Sequence, residues 1–259
     1  MCRHAAYLGP AISLQQFLID PPHSLYQQSW NAQELKYARL NADGYGFGWF
    51  NDAGNPATYT SAMPIWSDHN LASLAGSMKY PLWVGEIRSA TIGNPVHAYN
   101  TQPFHDDRWL FVHNGYVRNF HEQVRPSITA QLSPAVAADI CGNTDSEYLF
   151  ALFRQILLNE KDIAVADALR MLFRRIGELA GDNESLLNLL LTDGKTLYAS
   201  RHAINHESPS LYFTATDPQF PQGQLVASEA FDPDADWQRV PEHHLLMLTP
   251  DNAPALQAL

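Results

Sequence analysis

A cysteine stands second in this chain, and the residues that follow it without a spacer, Arg3-His4-Ala5-Ala6-Tyr7-Leu8, read as a β-strand ended by Gly9-Pro10. A small second residue permits removal of Met1, which would leave a thiol and a free α-amine on the same residue. A thiol titrates near about 8.5 and an α-amine near about 7.7–8.0, so one residue would carry a nucleophile and its own base. The alternative use of Cys2 is as a small apolar residue buried in an edge strand. Position alone does not separate the two, so the rest of the chain has to decide.

Composition narrows the field. Across 259 residues, 46% are hydrophobic and 11% aromatic, which is globular composition, and no repeat or linker interrupts it, so one domain over 1–259 is expected. The formal net charge of -11 comes with no Lys/Arg cluster, which argues against nucleic acid and anionic membranes as partners. No run of about 18 apolar residues is present and the start has no signal-peptide core, so a cytoplasmic protein is expected. With only two cysteines, Cys2 and Cys141, a disulfide framework is not indicated. The 11 histidines show neither His-Glu-x-x-His nor paired-Cys spacing, so no metal or other cofactor is expected.

Along the chain, Ser13 to Ile19 reads as a short helix capped by Ser13, and His23 to Leu40 as loop with some helix. Asn41 to Phe50 alternates glycines with aromatics, which strips one face of a strand and lets a backbone or ligand approach it. Ala57 to Thr60 returns as a strand, and Asp68 to Met78 reads as a helix. Leu82 to Arg88 is strand-like, so Arg88 stands at a strand end beside a loop, where functional residues concentrate. Trp109 to Val112 runs into His113-Asn114-Gly115, either a strand terminus bearing an amide or an ordinary Asn-Gly turn. Thr144 and Glu147 have capping-box spacing at the clearest helix start, which puts Asp145 in the first turn. A second helix is expected from about Asp162 to Ala180. Strands are expected over 186–192, 196–202, 210–214, 224–227 and 244–248.

Cys2, Arg88, Asn114-Gly115 and Asp145 together suit one small-molecule class. A γ-glutamyl compound presents an α-carboxylate for an Arg fork, an α-ammonium for a carboxylate, and a scissile γ-amide for a thiol. The Asn114 amide and the Gly115 N–H could donate to the developing oxyanion.

These residues carry a resemblance. Cys2, Arg88-Ser89-Ala90-Thr91, Asn100 to Phe104, His113-Asn114-Gly115 and Thr144-Asp145-Ser146-Glu147 resemble, in order, the motifs of class II glutamine amidotransferases, which are N-terminal nucleophile hydrolases. That family implies an α+β, αββα four-layer sandwich of two antiparallel sheets flanked by helices. It also implies Cys2 as nucleophile, Asn114 and Gly115 as oxyanion hole, and Arg88 and Asp145 as glutamyl-binding residues. His113 is grouped with that substrate-binding set. Met1-Cys2-Arg3-His4, Asp20-Pro21-Pro22, Gln28-Ser29-Trp30, Asn41 to Gly46, Pro64 to Asp68 and Arg88 to Gly93 are similar to a narrower group, the ergothioneine-pathway γ-glutamyl amidohydrolases. Arg3 departs from the wider family, where Gly often follows the nucleophile. The resemblance implies hydrolysis of γ-glutamyl-hercynylcysteine sulfoxide. The alternatives are a glutaminase subunit that feeds ammonia to a separate synthetase partner, and a non-catalytic γ-glutamyl-binding module.

Overall fold

The strand that starts at Arg3 runs on to Ser13 as β1 and lies in the middle of a sheet. Gly9-Pro10 does not end it; instead the register with its neighbour shifts between Leu8 and Ile12. The computed structural model describes residues 2–35, 40–91 and 95–259. Met1, the Ile92-Gly93 end of the Arg88–Gly93 motif, and part of the His23–Leu40 stretch lie outside the described residues.

Ser13 caps α1 (Leu14–Leu18), and Ser24 caps α2 (Leu25–Asn31), a helix within the stretch expected to be mostly loop. β2 (Tyr45–Phe50) and β3 (Pro56–Ser61) form a hairpin. α3 (Leu71–Ser77) is shorter than Asp68–Met78, because Asp68 is held outside it by the hydroxyls of Tyr45 and Tyr59. β4 (Lys79–Ile87) ends one residue before Arg88.

The chain then builds a second sheet with β5 (Phe104–His105) and β6 (Leu110–Val117). The strand passes straight through His113-Asn114-Gly115, so no turn forms there. Short helices α4 (Arg125–Thr129) and α5 (Pro134–Ala138) lead to the long α6 (Asp145–Asn159) and α7 (Val165–Ala180). Next come β7 (Ser185–Thr192), β8 (Leu197–Arg201) and β9 (Ala203–Ile204). The first sheet is completed by β10 (Tyr212–Thr214), β11 (Gln224–Ala227) and β12 (Gln238–Arg239). The second sheet ends with β13 (His244–Thr249) and β14 (Asn252–Ala258), the latter without a counterpart in the sequence reading.

Strand order is β12-β10-β11-β1-β4-β2-β3 in the first sheet and β14-β13-β8-β7-β6-β5 in the second, with every pairing antiparallel. Because side chains alternate faces along a strand, each sheet buries both of its faces here. Ala5, Tyr7, Phe47 and Trp83 pack under α1, α2 and α3. Ala6, Leu8 and Val84 meet Val112, Leu190 and Leu246 between the sheets. Phe111, Leu187 and Leu189 pack under α6 and α7. Three apolar seams thus make four layers, the αββα sandwich expected. Each fully buried large apolar side chain contributes about 1.5–3 kcal/mol, so the seams fix the strand ends firmly. Among the described residues no helix is long and apolar enough to cross a membrane.

Candidate active site

The β1–β4 register sets Arg3 opposite Ile87 and His4 opposite Glu86, which leaves Cys2 beside Arg88 where both strands end. The start of α6 and the middle of β6 close on the same point. A cavity of about 240 Å³ opens there, and Cys2, Arg88, His113, Gly115 and Asp145 all line it. Asn114 does not. Side-chain alternation turns it to the inter-sheet face, fully buried, where its Nδ2 donates to Ser228 Oγ at 3.2 Å. The same hydroxyl accepts from the His4 N–H at 3.0 Å, so Ser228 joins β1 to β6.

Arg88 is buried, and among the described residues its guanidinium donates only to carbonyls, Asp43 O at 3.2 Å and Pro95 O at 3.4 Å. Asp145 opens α6, where Oδ2 accepts from the Val117 N–H and Oδ1 from the Ser146 N–H, each at 2.8 Å. Neither residue makes an ion pair with another described residue. The cavity is therefore lined by a buried cation and a buried anion that leave their charges to an occupant. The capping box is half formed: Thr144 accepts from the Glu147 N–H, but the Glu147 carboxylate turns away to the N–H groups of Cys141 and Gly142.

The β6 backbone supplies a donor. The N–H of His113 goes to Gln102 Oε1 and that of Val117 to Asp145, both on the edge away from β7. Antiparallel alternation therefore points the N–H of Gly115, which sits between them, out of the ladder and into the cavity. Only glycine fits at this position, since a Cβ would lie 1.8 Å from the Leu186 carbonyl oxygen.

His113 has both ring nitrogens engaged, Nδ1 with Ser146 Oγ at 2.9 Å and Nε2 with the Leu186 carbonyl at 2.8 Å. The carbonyl requires a donor, so Nε2 carries the proton and Ser146 donates to Nδ1. Burial holds its pKa below the usual value, which matches a neutral ring. A hydrogen bond from His113 to a ligand would break one of these two.

Sequence reasoning gave no role to Glu86, nor to Gln102 beyond its place in the Asn100–Phe104 motif. Glu86 is fully buried in the cavity wall, where its Oε1 and Oε2 accept from Gln102 Nε2 at 2.8 Å and Gln102 N at 3.3 Å. Gln102 also brackets the backbone of His113 with its amide, at 2.7 and 2.9 Å. Gly46 makes room for this, because a Cβ there would lie 2.1 Å from the Gln102 carbonyl. The stripped face of β2 thus admits a backbone. Burial first, then the Glu86 charge, pushes the Cys2 thiol well above the ordinary thiol range. The sulfur donates weakly to the Ser89 carbonyl at 3.7 Å. Cys141, the second thiol, is exposed and faces a separate depression with Glu147 and Arg154, so it has no place in this cavity.

Comparison with known proteins agrees with the fold. A family model described as glutamine amidotransferases class-II matches residues 24–257. A gamma-glutamyl-hercynylcysteine sulfoxide hydrolase of Mycobacterium tuberculosis is 33% identical over 250 residues, covering 96% of this chain and 93% of that protein. The protein of the same name from Mycolicibacterium smegmatis is 31% identical over 246 residues, covering 95% of each. The solved structure of a glutamine aminotransferase class-II domain protein from Silicibacter pomeroyi superposes with a TM-score of 0.71 over 99% of both chains, at 26% identity. The sequence motifs, the four-layer fold and these matches converge, and the chain belongs to the class-II glutamine amidotransferases.

Proposed function

We propose that this amide-bond hydrolase cleaves γ-glutamyl amides with Cys2 as nucleophile, and that its substrate is γ-glutamyl-hercynylcysteine sulfoxide, from which it releases glutamate. The observation that carries the reading is the pair of unneutralised charges in one cavity wall with a thiol and a free backbone N–H. Arg88 takes the α-carboxylate and Asp145 the α-ammonium, which brings the γ-carbonyl to Cys2. The raised thiol needs a base, and the α-amine freed by loss of Met1 is adjacent to it. Sγ bonds to the carbonyl carbon as its proton passes to the amine, and the oxyanion accepts from the Gly115 N–H. The amine then protonates the leaving nitrogen, the C–N bond breaks, and water releases glutamate from the thioester.

The identity of the leaving group draws on the two mycobacterial relatives, which match over nearly their full length. The test compares kcat/KM on synthetic γ-glutamyl-hercynylcysteine sulfoxide and on glutamine. The proposal expects the conjugate to be preferred by a factor of ten or more. Equal or better turnover of glutamine would sink the substrate assignment and favour the ammonia-supplying alternative.

A further inference from the structure

A carboxyl group with no exposed surface is costly to bury unless its charge has a use, since it gives up several kcal/mol of hydration. Glu86 is such a group, and among the described residues it makes no ion pair. Each of its oxygens accepts one bond from Gln102, and a glutamine in its place could keep only one of the two. The position also adjoins the thiol: Glu86 pairs with His4, two residues from Cys2 on the neighbouring strand, and Glu86 and Cys2 line the same cavity.

We propose that Glu86 is the positioning residue of Cys2, its carboxyl in the same cavity wall governing when the thiol gives up its proton. This inference rests on the reading of Cys2 as the nucleophile. The charged and titratable surroundings are few. Cys2 and His4 face Glu86 from β1, Arg88 follows it on β4, His113 lies across Gln102 on β6, and Asp145 stands at the start of α6. His4 is neutral, pushed down to about 3 by burial with Arg3 and His113 adding to it. Arg3 has its charge on Glu229 at 3.0 Å, and Asp145 is held by backbone N–H groups. Arg88 is the one cation that acts on Glu86, lowering a carboxyl that burial raises. In the empty site the carboxyl keeps the neighbouring sulfur protonated, since a negative neighbour disfavours a thiolate. The thiol would therefore be inert toward small electrophiles until a substrate orders the site.

The test is the pH dependence of Cys2 alkylation by iodoacetamide, with kcat and KM measured alongside, in a Cys141→Ser background and in Glu86→Gln and Glu86→Asp made in it. Loss of the charge in Glu86→Gln should lower the alkylation midpoint by about one pH unit or more, the size of a close like-charge effect. In the same variant kcat should fall at least about tenfold while KM moves less than about threefold, as expected when substrate binding is untouched. Glu86→Asp keeps the charge but withdraws it by one methylene, so both effects should shrink without vanishing. A residue that only filled space would leave the midpoint where it was. An unmoved midpoint in folded Glu86→Gln therefore overturns the proposal. If that variant does not fold, Glu86→Asp carries the same decision: displaced midpoint with reduced kcat in support, neither changed against. Labelling of wild-type Cys2 by a γ-glutamyl diazoketone separates the two readings. Absence of label removes the nucleophile assignment itself, whereas label together with an unmoved midpoint removes only the role of Glu86.

Discussion

Asp145→Asn is less conservative than its shape suggests, and the structure says by how much. The carboxylate accepts two backbone hydrogen bonds, from Val117 and Ser146, one on each oxygen. An asparagine keeps one and sets an N–H₂ group against the other N–H, leaving a donor unsatisfied in a buried site, which costs about 1–3 kcal/mol of stability. Separately, the substrate ammonium loses its anion, which is worth about 2–4 kcal/mol for a desolvated pair, or a fall in kcat/KM of roughly 30- to 1000-fold. The two effects are told apart by a double-mutant cycle. Wild type and Asp145→Asn are assayed on a γ-glutamyl amide and on the matching glutaryl amide, which has no ammonium. Stability loss and any distortion of the oxyanion site affect both substrates, while the ion pair affects one. A coupling energy of about 2 kcal/mol or more is expected. If the variant loses the same factor on both substrates, Asp145 does not bind the ammonium.

Arg88→Lys keeps the charge but loses the planar fork, and should lower kcat/KM by about 2–4 kcal/mol on carboxylate-bearing substrates; near wild-type kinetics would remove Arg88 from the site. In Cys2→Ala substrate should bind and not turn over, and peptide mapping of wild type labelled with a γ-glutamyl diazoketone should find Cys2 modified and exposed Cys141 unmodified; the reverse pattern refutes the mechanism. Protein that retains Met1 has an amide in place of the basic amine and should be inactive, so intact mass of active enzyme should show Met1 missing. His4, held neutral down to about 3 in the fold by burial, gains a proton below about 6.5 only when unfolded. Unfolding free energy should thus decrease as pH falls from about 6.5 toward 3, by about 1.4 kcal/mol per unit for this group. Among the described residues the ring nitrogens of His4 have no partners, so His4→Leu gives up none of the described hydrogen bonds and should flatten the slope; an unchanged slope in urea titrations would count against the assignment.

Why some of this was legible in the sequence follows from where each residue sits. Arg88 and Asp145 lie at a strand end and a helix start, boundaries that sequence patterns mark well. Glu86 is hidden because it falls inside Leu82–Ile87, where an apolar run buried on both faces conceals which single position faces the cavity. Gln102 and Ser146 act only through contacts that join distant segments, and no local spacing encodes those. The Gly46 alternation signalled that something comes close, but not that the visitor is the backbone at Gln102. Glu147 matched a local capping pattern and was claimed instead by the Cys141–Gly142 loop. β14 pairs on one side only and is mostly exposed, so it has none of the apolar alternation that announces a half-buried strand. For Asn114, residue type and position were legible but facing was not, since a motif does not say which side of β6 it presents.

The central place of β1 bears on how the protein is made. Its two neighbours are β4 and β11, and the link that ties it to Ser228, shared with Asn114, spans 224 residues of chain. During synthesis the strand that carries the thiol is made long before the strand that completes its sheet. Until β11 emerges, one edge of β1 has no partner and the wall behind Cys2 is missing Ser228, so the nascent chain holds Cys2 without a cavity around it. Long-range pairing of this kind is slow to form and leaves an edge open to other chains meanwhile. Under the proposed mechanism, trimming of Met1 and assembly of the cavity would be separate events, and turnover would wait for the later one.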